Sequence, residues 1–337
     1  MKEAMFCRPL AEGDIRCHLC NHRCKIKEGK TGICGVRQNR DGQLYSLVYG
    51  KIVAEHIDPV EKKPFFHFMP GSNAFSIGTV GCNFQCKHCQ NSHISQYPQE
   101  HQGEIIGQDR TPEQIVAAAK SAGCKSIAYT YNEPTVFYEF AFETALLAQK
   151  EALRNVFVSN GYMASDAARH VAPCLDAINI DLKSFNDKTY KEVCGARLKP
   201  VLQTIELMRE LHVWVEVTTL VIPGLNDGEE ELPDIARFIK GVGAEVPWHV
   251  SQFHPAYKFM DRPMTPMATL RRAREIGMEE GLRYVYEGNV PGEGGENTHC
   301  YACGAMLIER YGLTLRQNRL QDGKCPECGT NIEGVGM

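Results

Sequence analysis

The sequence predicts an α/β protein: a partial (β/α)6-type TIM barrel with small Cys-rich metal-binding modules at both ends. Three observations carry that expectation. Short apolar segments alternate with helical patterns between about residues 73 and 290, no G-x-G-x-x-G follows the first of them, and most of the 15 cysteines fall into three groups. Strand–helix alternation specifies parallel strands with right-handed crossovers. Without the glycine fingerprint, six such units fit a full or partial barrel better than a dinucleotide fold.

The candidate strands are Ala74–Val80, Ser126–Tyr131, Asn155–Ser159, Ala177–Leu182, Trp214–Val221 and His249–Phe253. They are short, apolar and rich in β-branched or aromatic residues, as strands buried on both faces must be. Helices separate them. Thr111-Pro112-Glu113-Gln114 reads as a capping box with proline at the first helical position, and Gly123 stands where a C-cap glycine belongs. Thr265-Pro266 opens another helix that Gly281 closes, and Leu232, Ile235, Ala236, Ile239 and Val242 recur at helical spacing in a third. The expected segments are 1–72, an N-terminal Cys-rich module; 73–290, the barrel; and 291–337, a C-terminal module. Pro291-Gly292-Glu293-Gly294-Gly295 reads as a flexible hinge before the last.

Composition narrows the function classes. The chain has 337 residues, 43% hydrophobic and 23% charged, with a net charge of -4. No global basic field points to nucleic acid or an anionic membrane. No apolar run has the length of a signal peptide or a membrane span, so a cytoplasmic location is expected. Under those conditions many cysteines favour metal or redox chemistry over disulfides. Cys7, Cys124, Cys174 and Cys194 lie outside the groups and read as small buried residues or inert thiols.

The central group is Gly81-Cys82-Asn83-Phe84-Gln85-Cys86-Lys87-His88-Cys89. Its C-x3-C-x2-C spacing gives three thiolates immediately after the first strand, at the end of a barrel strand where barrel chemistry sits. A cubane [4Fe–4S] cluster needs one ligand per iron, so three ligands leave one iron open, as a catalytic site requires. A zinc knuckle completed by His88 or His93 is the competing reading, although closed zinc sites usually pair C-x2-C knuckles.

This motif resembles the radical S-adenosylmethionine (SAM) superfamily over about residues 73–290. The resemblance implies that the open iron chelates the cofactor's methionine part. One electron then breaks a C–S bond, and a 5′-deoxyadenosyl radical abstracts hydrogen from a substrate. It also implies cofactor contacts. His88 occupies the position before the third cysteine, near the adenine; an exposed loop histidine is the alternative. Tyr131-Asn132-Glu133-Pro134 stands where the family has a Gly-Gly-Glu-Pro-like segment, with Glu133 toward the amino group. A carboxylate at a strand end suits an ammonium, and equally suits a helix N-terminus. Ser159, Asn160, Asp181, Lys183 and His254 resemble cofactor-contacting positions of glycyl-radical-enzyme activases such as pyruvate formate-lyase activating enzyme. There Asp181 matches an acid holding a monovalent cation, whose partner acid is Val158 here. Asp181 and Lys183 share a strand face, so an ion pair between them is the competing reading. Glu61-Lys62-Lys63-Pro64-Phe65-Phe66-His67-Phe68, Cys89-Gln90-Asn91 and the outer cysteines are similar to the AmmeMemoRadiSam-system radical enzymes.

Cys300, Cys303, Cys325 and Cys328 form paired C-x2-C knuckles, the pattern of a zinc ribbon, whose role is to staple a tail too small to fold alone. Cys17, Cys20, Cys24 and Cys34 suit zinc or a second cluster; zinc is favoured, and a cluster would suggest an electron relay. The expected cofactors are thus a [4Fe–4S] cluster, SAM and zinc. The expected partners are a reductant such as a flavodoxin or ferredoxin and either a protein substrate to be activated or a small metabolite, with neither membrane nor nucleic acid. The contrasting class is a non-catalytic iron–sulfur carrier or adaptor. A carrier would coordinate its cluster fully.

Overall fold

The computed structural model describes all 337 residues. Its main sheet has eight strands: β1 (Ala54–Pro59), β2 (Asn73–Gly78), β3 (Ser126–Tyr129), β4 (Arg154–Ser159), β5 (Ala177–Asp181), β6 (Trp214–Val221), β7 (Trp248–Gln252) and β8 (Val285–Gly288). They lie in sequence order. β2 to β8 run parallel, while β1 pairs antiparallel with β2 from Ala54↔Gly78 to Pro59↔Asn73. No pairing joins β8 to β1, so the barrel stays open.

Between consecutive parallel strands lie α1 (Pro112–Ser121), α2 (Tyr138–Lys150), α3 (Ser165–Val171), α4 (Leu198–Glu210), α5 (Glu231–Val242) and α6 (Met267–Glu279). That is six β/α units followed by a seventh parallel strand. The α1 capping box forms: Gln114 N donates to Thr111 Oγ1 at 3.3 Å and Thr111 N to Gln114 Oε1 at 3.0 Å. Leu232, Ile235, Ala236 and Ile239 face inward from α5. Thr265 departs from its expected capping role. Its hydroxyl donates to Val221 O at 2.6 Å and accepts from Phe253 N at 2.8 Å, joining the ends of β6 and β7.

The segment between β1 and β2 closes the N-terminal end of the barrel. Glu216 on β6 accepts from Phe66 N and His67 N at 3.0 and 2.9 Å, from Trp214 Nε1 at 3.1 Å, and pairs with His249 Nε2 at 2.7 Å. Four partners satisfy a buried carboxylate that would otherwise be costly. The C-terminal module docks beneath this plug: Val335 N donates to His67 O at 2.8 Å, and buried Arg310 donates from Nη2 to Phe66 O at 2.9 Å. The 291–295 segment therefore differs from a free hinge. Gly292 N and Gly312 N both donate to Glu296 Oε1, at 2.7 and 3.1 Å.

The N-terminal residues form small antiparallel sheets that sit at the opposite, C-terminal end of the barrel. Asn21 N donates to Tyr162 O and Ala164 N to Leu19 O, each at 3.0 Å, beyond the end of β4. A buried Arg37–Glu139 pair at 2.8 Å fastens this module to α2. No helix is long and apolar enough to cross a membrane.

Candidate active site

The cysteine loop begins three residues after β2, and its neighbours fix its path. Gly81 has φ +90, and a Cβ there would lie 2.5 Å from Val36 Cγ1 and 2.8 Å from Cys34 O. The N-terminal module thus presses directly on the residue before Cys82. From the end of β3, Asn132 donates to Gly81 O at 2.8 Å and to Thr79 Oγ1 at 3.1 Å. Phe84 is buried against Tyr162 and Tyr190, with ring centroids 5.2 and 6.3 Å away. Gln85 N and Lys87 N donate to Cys194 O and Val193 O at 2.9 and 3.0 Å. From the segment after β7, Lys258 N donates to Lys87 O at 2.9 Å. Backbone geometry is therefore set on every side, as a preorganised site needs.

Two groups of residues gather at the thiols. Around Cys82, Asn160 Nδ2 lies 3.8 Å from the sulfur and donates to Asn83 Oδ1 at 2.7 Å. Glu133 is buried behind it. Its Oε1 accepts from Thr135 N at 3.0 Å, Thr135 Oγ1 at 2.5 Å and Ser159 Oγ at 2.8 Å, and its Oε2 accepts from Asn160 N at 2.7 Å. Burial raises the carboxyl's pKa against the lowering effect of those donors. Glu133 therefore both caps the turn at Pro134–Phe137 and ties the end of β3 to the end of β4.

Around Cys86 lie Lys183, His88 and Cys194. Lys183 Nζ pairs with Asp181 Oδ2 at 2.8 Å, so the ion pair that period two allows does form. Burial opposes the lysine's charge, but Asp181 and the neighbouring Cys86 and Cys194 hold its pKa well above the usual lysine range. His88 is buried, and its Nδ1 has no partner. Burial, then the Lys183 charge, push it down to about 3, so the ring is neutral. The exposed-loop alternative for His88 is thereby corrected: Phe259, 6.2 Å away, and the segment after β7 cover it. Cys194 was missed by sequence reasoning. Its thiol neighbours that of Cys86, yet it stands far along the chain and carries no local spacing signal.

Tyr131 and His254 stand apart. The Tyr131 hydroxyl donates to Asp58 Oδ2 at 2.6 Å inside a buried Asp58–Lys63 cluster, and only its carbonyl reaches the loop region, accepting from Asn91 Nδ2 at 2.8 Å. His254 is exposed beyond the end of β7.

The outer cysteines behave differently from each other. The ligand sulfurs of Cys300, Cys303, Cys325 and Cys328 all lie within 4.8 Å of one another, with Cys300–Cys328 at 3.6 Å and Cys303–Cys325 at 3.7 Å. Cys17, Cys20, Cys24 and Cys34 form no such converged set.

Comparison with known proteins adds four findings. The family model described as "Radical SAM superfamily" matches residues 76–239. A Methanocaldococcus jannaschii protein described as "Uncharacterized protein MJ0808" is 46% identical over 338 residues, covering 99% of this chain and all of that one. An isethionate sulfite-lyase activating enzyme from Desulfovibrio desulfuricans is 28% identical over 187 residues, 53% of this chain and 58% of that enzyme. Among solved structures, Streptococcus suis SuiB bound to precursor peptide SuiA shares the fold, with a TM-score of 0.51 at 14% identity over 68% of this chain and 51% of that one.

Proposed function

This chain belongs to the radical SAM superfamily, and from that premise we propose that Cys82, Cys86 and Cys89 hold its [4Fe–4S] cluster with one iron left for SAM. Members cleave SAM reductively at such a cluster and generate a 5′-deoxyadenosyl radical that abstracts hydrogen. The observation that carries the ligand assignment is the cysteine loop itself: three thiols in the one loop after β2, held by Asn132, Asn160 and the Cys194 segment.

The residues around it fit the cofactor. Lys183, half-buried beside Cys86, is the cation for the methionine carboxylate, a charge-assisted contact at the strand ends. The unpaired Nδ1 of neutral His88 is a hydrogen-bonding position facing no protein partner, which suits the adenine side. Glu133 contributes by ordering Ser159 and Asn160, and its Oε2, with a single donor, retains capacity for the amino group. Asp181 holds Lys183 in place. Tyr131 acts through its backbone, and exposed His254 can reach the cofactor only from the rim. Covering the mouth excludes water from the radical.

The name of the Desulfovibrio relative supports a protein substrate activated by hydrogen abstraction, with a flavodoxin or ferredoxin as electron donor. For the C-terminal module we propose zinc, since four thiols already at these separations match a tetrahedral ion.

Anaerobically reconstituted enzyme with dithionite and SAM is expected to release 5′-deoxyadenosine and methionine. Cys82→Ala, Cys86→Ala and Cys89→Ala should each abolish release; cleavage retained by one of them overturns its assignment. Deuterium in 5′-deoxyadenosine after incubation with deuterated cell protein supports the protein substrate. Deuterium only from a deuterated metabolite fraction contradicts it.

A further inference from the structure

We propose that Cys17, Cys20, Cys24 and Cys34 hold a second [4Fe–4S] cluster rather than zinc. The two outer cysteine groups supply the contrast. Tetrahedral zinc with Zn–S near 2.3 Å brings its sulfurs to roughly 3.8 Å of one another, and the C-terminal thiols stand that way without any ion. The N-terminal thiols line one space together without closing to those separations. A cubane of four irons and four sulfides holds its thiolates farther apart than a single ion does, and takes four cysteines, one per iron.

A second observation concerns the walls. Apart from the thiols they are mixed: Leu19, Ile26, Ile33 and Val136 are apolar, and His22, Thr135, Arg37 and Asn83 are polar. The last two each bury an N–H donor without a partner, Arg37 Nε and Asn83 Nδ2. Unpaired buried donors are rare and call for an acceptor. Bridging sulfides and thiolate sulfurs are anionic acceptors, and hydrogen bonds to the sulfurs are among the levers that tune such clusters.

Location gives the site its meaning. Asn83 directly follows Cys82, and the carbonyl of Cys34 abuts Gly81. The wall between the two metal sites is one residue thick. With every iron held by a thiolate, the second cluster has no open position for substrate, and its chemistry is that of a one-electron carrier beside the catalytic iron.

The test uses the full chain and does not depend on SAM chemistry. The triple variant Cys82→Ala/Cys86→Ala/Cys89→Ala, reconstituted anaerobically with iron and sulfide, should retain about four irons and about four sulfides per chain. Its Mössbauer spectrum should be that of a cubane, and its reduced EPR signal should be unchanged by SAM. Zinc in place of that iron, or no metal beyond the C-terminal site, overturns the proposal. Should the triple variant fail to fold, wild type decides. About eight irons and about one zinc per chain support it, while about four irons and about two zincs refute it.

Discussion

At the scale of single residues, Lys183 separates a cofactor contact from a structural ion pair. It sits beside Cys86 and bonds Asp181 at 2.8 Å. Lys183→Met keeps the stem's bulk and should leave iron content intact. SAM affinity should fall by about 1.5–3 kcal/mol, the worth of a hydrogen bond to a charged group. Equilibrium binding reads this directly; unchanged affinity would leave Lys183 as no more than the partner of Asp181. The same neighbourhood shows what the sequence withholds. Spacing alone makes the three-thiol loop legible, because all its members lie within eight residues. Cys194 is illegible because the fold, not spacing, brings it to Cys86. Glu133 reads from sequence as an acid at a strand end. Only the three-dimensional arrangement reveals that Thr135, Ser159 and Asn160 already share it.

At the scale of elements, the strands legible in the sequence are those buried on both faces. β3 and β6 are nearly continuous apolar or β-branched runs. β8, Val-Tyr-Glu-Gly, and β1, Ala-Glu-His-Ile-Asp-Pro, carry charge and are sheet edges, so hydrophobic pattern does not mark them. Nor does it mark the plug between β1 and β2, whose partners Glu216 and Val335 are remote in sequence. Helix α1 is legible because its start is written locally. Thr111→Ala removes the side-chain half of the capping box and should cost about 1 kcal/mol. Denaturant unfolding should register that loss with cluster content unchanged. An equal stability would mean the box contributes nothing here.

At the scale of the whole molecule, the N-terminal module leans on the chemistry end of the barrel and the C-terminal module seals the other. His67 joins barrel and tail: its Nδ1 bonds Glu333 O and its Nε2 bonds the Tyr286 hydroxyl, each at 2.6 Å. Burial pushes it down to about 4 from 6.5. Below pH 6.5 the unfolded or undocked chain takes up a proton that the docked one refuses. The docked state is therefore favoured above 6.5 and loses at most about 3 kcal/mol as pH falls toward 4. Hydrogen exchange across Met306–Tyr311 should quicken through that window, and less so in His67→Gln; identical pH profiles would remove His67 from the account. The central claim concerns the iron that no cysteine of the Cys82 loop occupies. The reduced enzyme should be probed by electron–nuclear double resonance with SAM carrying ¹³C in its carboxyl and ¹⁵N in its amino group. Direct hyperfine coupling to both labels is the expected result, in wild type and in Cys194→Ala alike. A wild-type cluster blind to both labels, becoming sensitive only when Cys194 is removed, would make Cys194 the fourth ligand and contradict the open site.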